Sequence, residues 1–334
     1  MMRALVYTAP LAVAMEDRPR PQATAGECEI AIGAAGICGS DISGFLGHSR
    51  RRIAPLVLGH ELVGRRAQGK EKGRRVVANP LVSCGHCTAC KSGAQNLCST
   101  WRLLGMDTTA GCYAEYVTVP EAQVYDIPDH LPDTRAVLAE PLANIVHLFR
   151  LASPQPFFRM GIVGGGTMGA LALLTALRLG VRQVLVQDVS EARLAVVRQM
   201  GATLAVNVAT EEGRGQAKEF AGYGFDLVLD ASGSDSARQA AFDLCRPGGM
   251  VMLLGMAKER SEIDFVTSIR KEHRVSMSFA YTPVDFERSL ALLVAGEIDL
   301  TPWTVEMPLE QGQAAFDKMT KSPGDTLKML LRVS

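Results

Sequence analysis

Residues 160–188 read MGIVGGGTMGALALLTALRLGVRQVLVQD. Residues 160–163 are a short apolar run of strand type, Gly164-Gly165-Gly166-Thr167-Met168-Gly169 is a turn, and residues 170–179 are apolar nearly all round a helix. A second apolar run, 183–187, ends at Asp188. Strand, turn, helix and strand in this order, with G-x-G-x-x-G at the first strand-to-helix turn, make a βαβ unit that fits a dinucleotide. Gly164 allows the tight turn, Gly166 lets the backbone approach a pyrophosphate, and Gly169 lets the helix pack closely on the strand. The helix N-terminus beyond Thr167 and Met168 attracts phosphate. Asp188, 24 residues after Gly164, is placed to accept hydrogen bonds from adenosine ribose hydroxyls. No cation follows at Val189 or Ser190, so the carboxylate would repel a 2′-phosphate and NAD is favoured over NADP, a bias that Arg193 softens. Strand, turn and acid by themselves also fit another nucleotide-like ligand such as S-adenosylmethionine.

Outward from this stretch, strands are expected at 226–231, 250–254 and 275–279, with Arg246-Pro247-Gly248-Gly249 as an intervening turn. The alternation predicts an α/β, doubly wound parallel sheet over residues 151–282. Upstream, a Pro-containing joint, Ser153-Pro154-Gln155-Pro156, marks the boundary with residues 1–150. There, short β-type runs at 3–7, 29–34, 74–78 and 114–119 lie between Gly and Pro turns and predict a mainly β domain. Residues 283–334 return to a mixed pattern and are assigned back to that first domain.

The chain has 334 residues, about twice a typical domain, so two cores are expected. Lys plus Arg equals Asp plus Glu at 35 each, leaving no global field for nucleic acid or an anionic membrane. Arg3 precedes an apolar stretch and Ala12-Val13-Ala14 resembles a signal cleavage site, but Tyr7, Thr8 and Pro10 interrupt the stretch and no run approaches a transmembrane length. Half of the eight cysteines fall within residues 84–98, which argues for a reducing compartment, the cytoplasm, over a disulfide framework.

Those four, Cys84, Cys87, Cys90 and Cys98, follow C-x2-C-x2-C-x7-C, a spacing that closes a tetrahedral thiolate site around zinc. Four thiolates leave no open position, so this lobe is structural. A second set lies outside it: Cys38, the adjacent pair His60 and Glu61, and Glu140. A mixture of thiolate, imidazole and carboxylate suits a zinc ion that keeps one position for substrate. Glu140, followed by Pro141, also reads as a helix-capping acid.

Taken together, Gly36-Ile37-Cys38-Gly39-Ser40-Asp41, Gly59-His60-Glu61, the four-cysteine lobe, Gly111-x-x-Ala114-Glu115-Tyr116, Glu140-Pro141-Leu142 and the glycine turn with Asp188 resemble the zinc-dependent medium-chain alcohol and polyol dehydrogenases. His-Glu followed by Glu-Pro-Leu looks like the sorbitol and threonine dehydrogenase branch. The resemblance implies a GroES-like catalytic domain built from both chain ends (1–150 and 283–334), a Rossmann domain between them, and a homodimer or homotetramer. It implies catalytic zinc on Cys38, His60 and Glu61, with Glu140 as a direct or water-mediated ligand. Ser40 would hand on the alcohol proton, Asp41 would orient His60, and Arg193 would touch the adenosine ribose beside Asp188. Many relatives carry a proton-relay histidine five residues after the ligand cysteine, whereas this chain has Ser43, with His48 nearby.

The reading is oxidation of a secondary alcohol, a polyol, by NAD. The alternatives on the same machinery are a threonine 3-dehydrogenase and a phosphorylated-polyol dehydrogenase, the latter prompted by Arg50-Arg51-Arg52. A zinc-stabilised, non-enzymatic dinucleotide-binding or redox-sensing protein is the alternative of another class. Phe45, Trp101 and Leu103 are candidates for either substrate pocket or core.

Overall fold

The computed structural model describes residues 1–152 and 158–333, so the expected joint at 153–156 lies outside the described residues. The chain forms two units, Met1–Ala143 with Tyr281–Ser334, and Asn144–Ala280. A helix, Ala139–Ala152, runs through the first crossing point.

In the first unit the long strand Glu27–Ile37 is central. It pairs antiparallel with Glu61–Arg66 on one side and with Lys328–Arg332 on the other, and its first half also pairs with Tyr116–Pro120. The order continues outward through Arg75–Ala78 to Val124–Asp126, and in the other direction to Thr304–Pro308. A separate small sheet holds Ala12–Arg18, Met2–Ala9 and Leu56–Val57. Alternate residues of these strands point into one core, where Phe45 stacks on Phe316 with ring centroids 4.8 Å apart and Tyr113 meets Phe316 edge-on at 6.1 Å. Phe45 is thus a core residue. The last strand lies beside the central one with Met329 opposite Ile37, so both chain ends contribute to one sheet.

The second unit is a parallel sheet ordered Leu204–Asn207, Gln183–Asp188, Arg159–Val163, Phe225–Asp230, Cys245–Leu253, Arg274–Met277. Starting at Arg159–Val163 the order runs one way through the next two strands and the other way through the last three, the doubly wound arrangement. Val184, Leu185 and Val186 are wholly buried, as expected of a strand covered on both faces. One expectation is corrected and one strand is new. Arg246-Pro247-Gly248-Gly249 is no connection between strands: it lies within Cys245–Leu253 as a bulge, where pairing jumps from Phe225↔Cys245 to Leu227↔Met250 and Gly248 takes a positive φ of 69°. The strand Leu204–Asn207 was not anticipated, because it is too short to show a pattern against the polar helix that follows. Among the described residues no helix is long and apolar enough to cross a membrane.

Candidate active site

The register of the central strand brings the mixed ligand set together. Gly36 sits opposite Glu61, and Ile37 opposite Met329, so Glu61 and Lys328 approach the same strand end from its two sides. A side chain at position 36 would displace the Glu61 carboxylate, which occupies the space its Cβ would need. Across the space that Gly36 leaves, Lys328 Nζ donates to Glu61 Oε1 at 2.9 Å and Oε2 at 2.7 Å, and to the Ile37 carbonyl at 3.3 Å. Burial alone would lower the Lys328 ammonium, but Glu61, with Cys38 and Glu140, outweighs it and the pKa is raised.

Cys38 begins the helix Gly39–Phe45, which also carries Ser40 and Asp41. Cys38 Sγ, a nitrogen of His60 and a carboxylate oxygen of Glu61 all lie within 4.8 Å of one another. The His60 Nδ1 faces Asp41 Oδ1 at 3.4 Å, which leaves Nε2 for a metal. Asp41 Oδ2 accepts from the Tyr113 hydroxyl at 2.9 Å and from the Cys38 backbone N–H at 3.2 Å. Asp41 is fully buried. Burial acts to raise its carboxyl, yet His60, Arg52 and Tyr113 outweigh that and hold it well below the usual carboxylate range. His60 Nδ1, Asp41 Oδ1 and Arg52 Nε are buried without a well-formed hydrogen bond, the slack geometry of a ligand whose ring a metal would pull into place. Converging donors, mixed ligand chemistry and a carboxylate behind the histidine all fit zinc.

Glu140 lies outside that three-residue convergence, at the start of its helix. Burial first, and then Glu140, Glu61 and Cys38, push the pKa of the buried Tyr281 hydroxyl well above the ordinary value. Ser43 occupies the relay position, and His48 is exposed on the following loop. Of the arginine run, Arg51 pairs with Asp107 at 2.5 Å and lies over the Trp101 ring at 4.0 Å, while Arg52 is buried beside Asp41.

The four-cysteine lobe closes on itself. Cys84 and Cys90 sulfurs are 3.9 Å apart and those of Cys87 and Cys90 3.5 Å apart. Zinc–sulfur bonds of about 2.3 Å in a tetrahedron separate sulfurs by about 3.8 Å, so the cage has zinc dimensions. Backbone N–H groups of His86 and Cys87 aimed at Cys84 bring its thiol down to about 6. All eight cysteines are free of disulfides.

In the second unit the glycine turn is as tight as its sequence requires. Gly164 has a φ of 107°, and a Cβ on Gly169 would lie 1.8 Å from the Gly164 carbonyl oxygen. Gly166 caps the helix Thr167–Arg178. Asp188 ends its strand, buried, accepting from the Gly165 N–H at 2.7 Å and from the Ser190 N–H at 2.8 Å. Arg193 Nη1 is 3.8 Å from Asp188 Oδ2.

Sequence reasoning missed Lys328, Tyr113 and Tyr281, and read Arg52 only as part of a phosphate-binding run. Only Lys328 carried a signal: one cation inside the apolar run Leu327-Lys328-Met329-Leu330-Leu331 has to be paired. Tyr113, Tyr281 and the inward position of Arg52 are set by loops and long-range packing that no local pattern reveals.

A doubly wound unit with a phosphate-binding turn, joined to a β unit with two zinc-competent clusters, defines a zinc-binding oxidoreductase. Residues 24–129 match the alcohol dehydrogenase GroES-like domain and residues 167–295 the zinc-binding dehydrogenase domain. The L-threonine 3-dehydrogenase of Shewanella frigidimarina is 32% identical over 331 residues, covering 95% of each chain. Among solved structures, L-idonate 5-dehydrogenase from Escherichia coli superposes with a TM-score of 0.90 at 26% identity, covering 99% of this chain and 98% of that one. An Escherichia coli alcohol dehydrogenase complexed with NADH gives 0.91 at 27% identity and 99% coverage of both. The chain belongs to the zinc-dependent medium-chain dehydrogenases, in the branch that contains the sorbitol and threonine dehydrogenases. It is an enzyme, which sets aside the non-enzymatic scaffold.

Proposed function

We propose that this enzyme oxidises a secondary alcohol of a polyol to the ketone, with NAD as hydride acceptor. One alcohol and one NAD⁺ give one ketone, one NADH and one proton. The observation that carries this reading is the convergence of Cys38, His60 and Glu61, a mixed set of three that leaves a position open for substrate. These three hold zinc, with Glu140 as the exchangeable fourth group. When bound, zinc supplies a Lewis acid that brings an alcohol hydroxyl from the mid-teens toward a pKa of about 7, and NAD takes the hydride. Asp41 fixes the His60 ring, and Ser40 takes the alcohol proton while passing its own onward. The turn of Gly164, Gly166, Thr167, Met168 and Gly169 receives the pyrophosphate. Asp188 accepts from the adenosine ribose hydroxyls and Arg193 lies alongside, which favours NAD over NADP.

An unphosphorylated substrate is supported by the engagement of Arg51 with Asp107 and of Arg52 with Asp41, which makes the arginine run a poor phosphate cradle. A second reading, L-threonine as the substrate, is supported by the 32% identity to an L-threonine 3-dehydrogenase. Zinc-loaded protein with NAD, followed by NADH absorbance against polyols, simple secondary alcohols, L-threonine and phosphorylated polyols, separates the two. Turnover of polyols supports the first reading, turnover of threonine alone the second, and silence across the panel contradicts both.

Assembly as a homo-oligomer is supported by the edge strand Arg274–Met277, where Val275 is 45% and Met277 74% exposed, next to a helix with Phe265 65% and Ile269 73% exposed. An unpaired, apolar strand edge is a template for a second copy. Light scattering should give a dimer or tetramer, and Met277→Lys should shift it toward monomer. Eight free cysteines support a reducing compartment, the cytoplasm.

A further inference from the structure

Five residues after Cys38 this chain has Ser43, and His48 is exposed. A different group stands beside Ser40. Arg52 is 4% exposed, and its Nη2 donates to Ser40 Oγ at 3.0 Å. Its Nε lies 3.3 Å from Asp41 Oδ1, the oxygen that also faces His60. The helix makes room for it: a Cβ at Gly44, one turn after Ser40, would lie 2.5 Å from Arg52 Cδ. A buried guanidinium is therefore threaded past Gly44 to reach two adjacent side chains of the site.

We propose that Arg52 is a positioning residue for Ser40. A serine hydroxyl has two lone pairs and one hydrogen. Arg52 occupies one lone pair, so the other is left to face the reacting alcohol and the hydrogen is left for an onward acceptor. A guanidinium does not itself take up a proton, so Arg52 orients the hydroxyl and carries no proton. The proposal rests on the role given to Ser40 above.

The test is a double-mutant cycle on the alcohol that the NADH panel identifies, with Ser40→Ala, Arg52→Met and the double variant. Losing a charge-assisted hydrogen bond at this point should lower kcat about tenfold to a hundredfold with KM little changed. In the Ser40→Ala background the same Arg52→Met change should cost clearly less than in the native enzyme, because only the contact with Asp41 is then left to lose. Losses that multiply, or an unchanged kcat in Arg52→Met, would overturn the proposal. An unchanged kcat in Ser40→Ala would instead refute the role of Ser40. Gly44→Ala leaves every polar group in place and only crowds Arg52, so it should reproduce part of the loss; full activity counts against the proposal. A readout free of turnover is the Nε–H resonance of Arg52, protected from solvent exchange in the native enzyme and faster in Gly44→Ala. Free exchange in the native enzyme also overturns the proposal.

Discussion

Lys328 Nζ lies 2.7 Å and 2.9 Å from the two carboxylate oxygens of Glu61, with both side chains buried. The final strand thereby places a compensating charge directly behind Glu61, the carboxylate of the Cys38–His60–Glu61 cluster, which comes from the first part of the chain. Glu61 keeps lone pairs for metal while its charge is balanced inside the core.

Removing one partner of this pair should be costly. Lys328→Met is expected to lower stability by about 3–5 kcal/mol, because it strands a buried carboxylate. Glu61→Gln combined with Lys328→Met should be less destabilised than the sum of the single changes. Urea unfolding of the three variants decides this; additive losses would mean that the pair is not coupled.

The four-cysteine lobe should release its metal independently of the mixed site. For Cys98→Ser, metal analysis should find one zinc per chain where the native protein has two, and proteolysis should cut within residues 84–98. Loss of both zinc ions would contradict the separation of the two clusters.

Asp133, which belongs to neither cysteine-containing cluster, provides a pH signature. It pairs with Arg75 at 2.5 Å and with Arg332, tying a short helix to two strands of the sheet. Burial acts to raise its carboxyl, but hydrogen bonds from Arg332 and Arg75 outweigh that and lower it. A folded pKa below the unfolded value of about 3.9 gives stability that is present above about pH 4 and lost as pH falls through the folded value. Asp133→Asn should therefore cost about 1 kcal/mol at neutral pH, and the gap to the native protein should close below about pH 4. A gap that is the same at both pH values would refute the ion-pair account.

The glycine turn admits a sharp substitution test. Gly169→Ala forces a Cβ to 1.8 Å from the Gly164 carbonyl, so NAD binding, followed by fluorescence, should be lost. In Asp188→Ala the affinity for NAD should fall relative to NADP; an unchanged ratio would remove Asp188 from cofactor selection.

The parts of the fold legible in the sequence were those encoded locally. The run from Arg159–Val163 to Asp188 showed itself because strand, glycine turn and helix are contiguous, and the four-cysteine lobe because its spacing is a metal spacing. Cys38 and the His60-Glu61 pair were legible through flanking glycines and their order along the chain. Arg52, Tyr113, Tyr281 and Lys328 were not, because each reaches the site through register or loop geometry set by distant packing. The Arg246–Gly249 segment misled because Pro and Gly make bulges as well as turns.

The central claim is that the cluster of Cys38, His60 and Glu61 performs the chemistry. Cys38→Ser tests it most directly, by metal content, NAD affinity and NADH formation measured on one preparation. The account predicts that zinc falls from two ions to one per chain, that turnover is lost, and that NAD still binds with native affinity. Turnover at the native rate in this variant would contradict it.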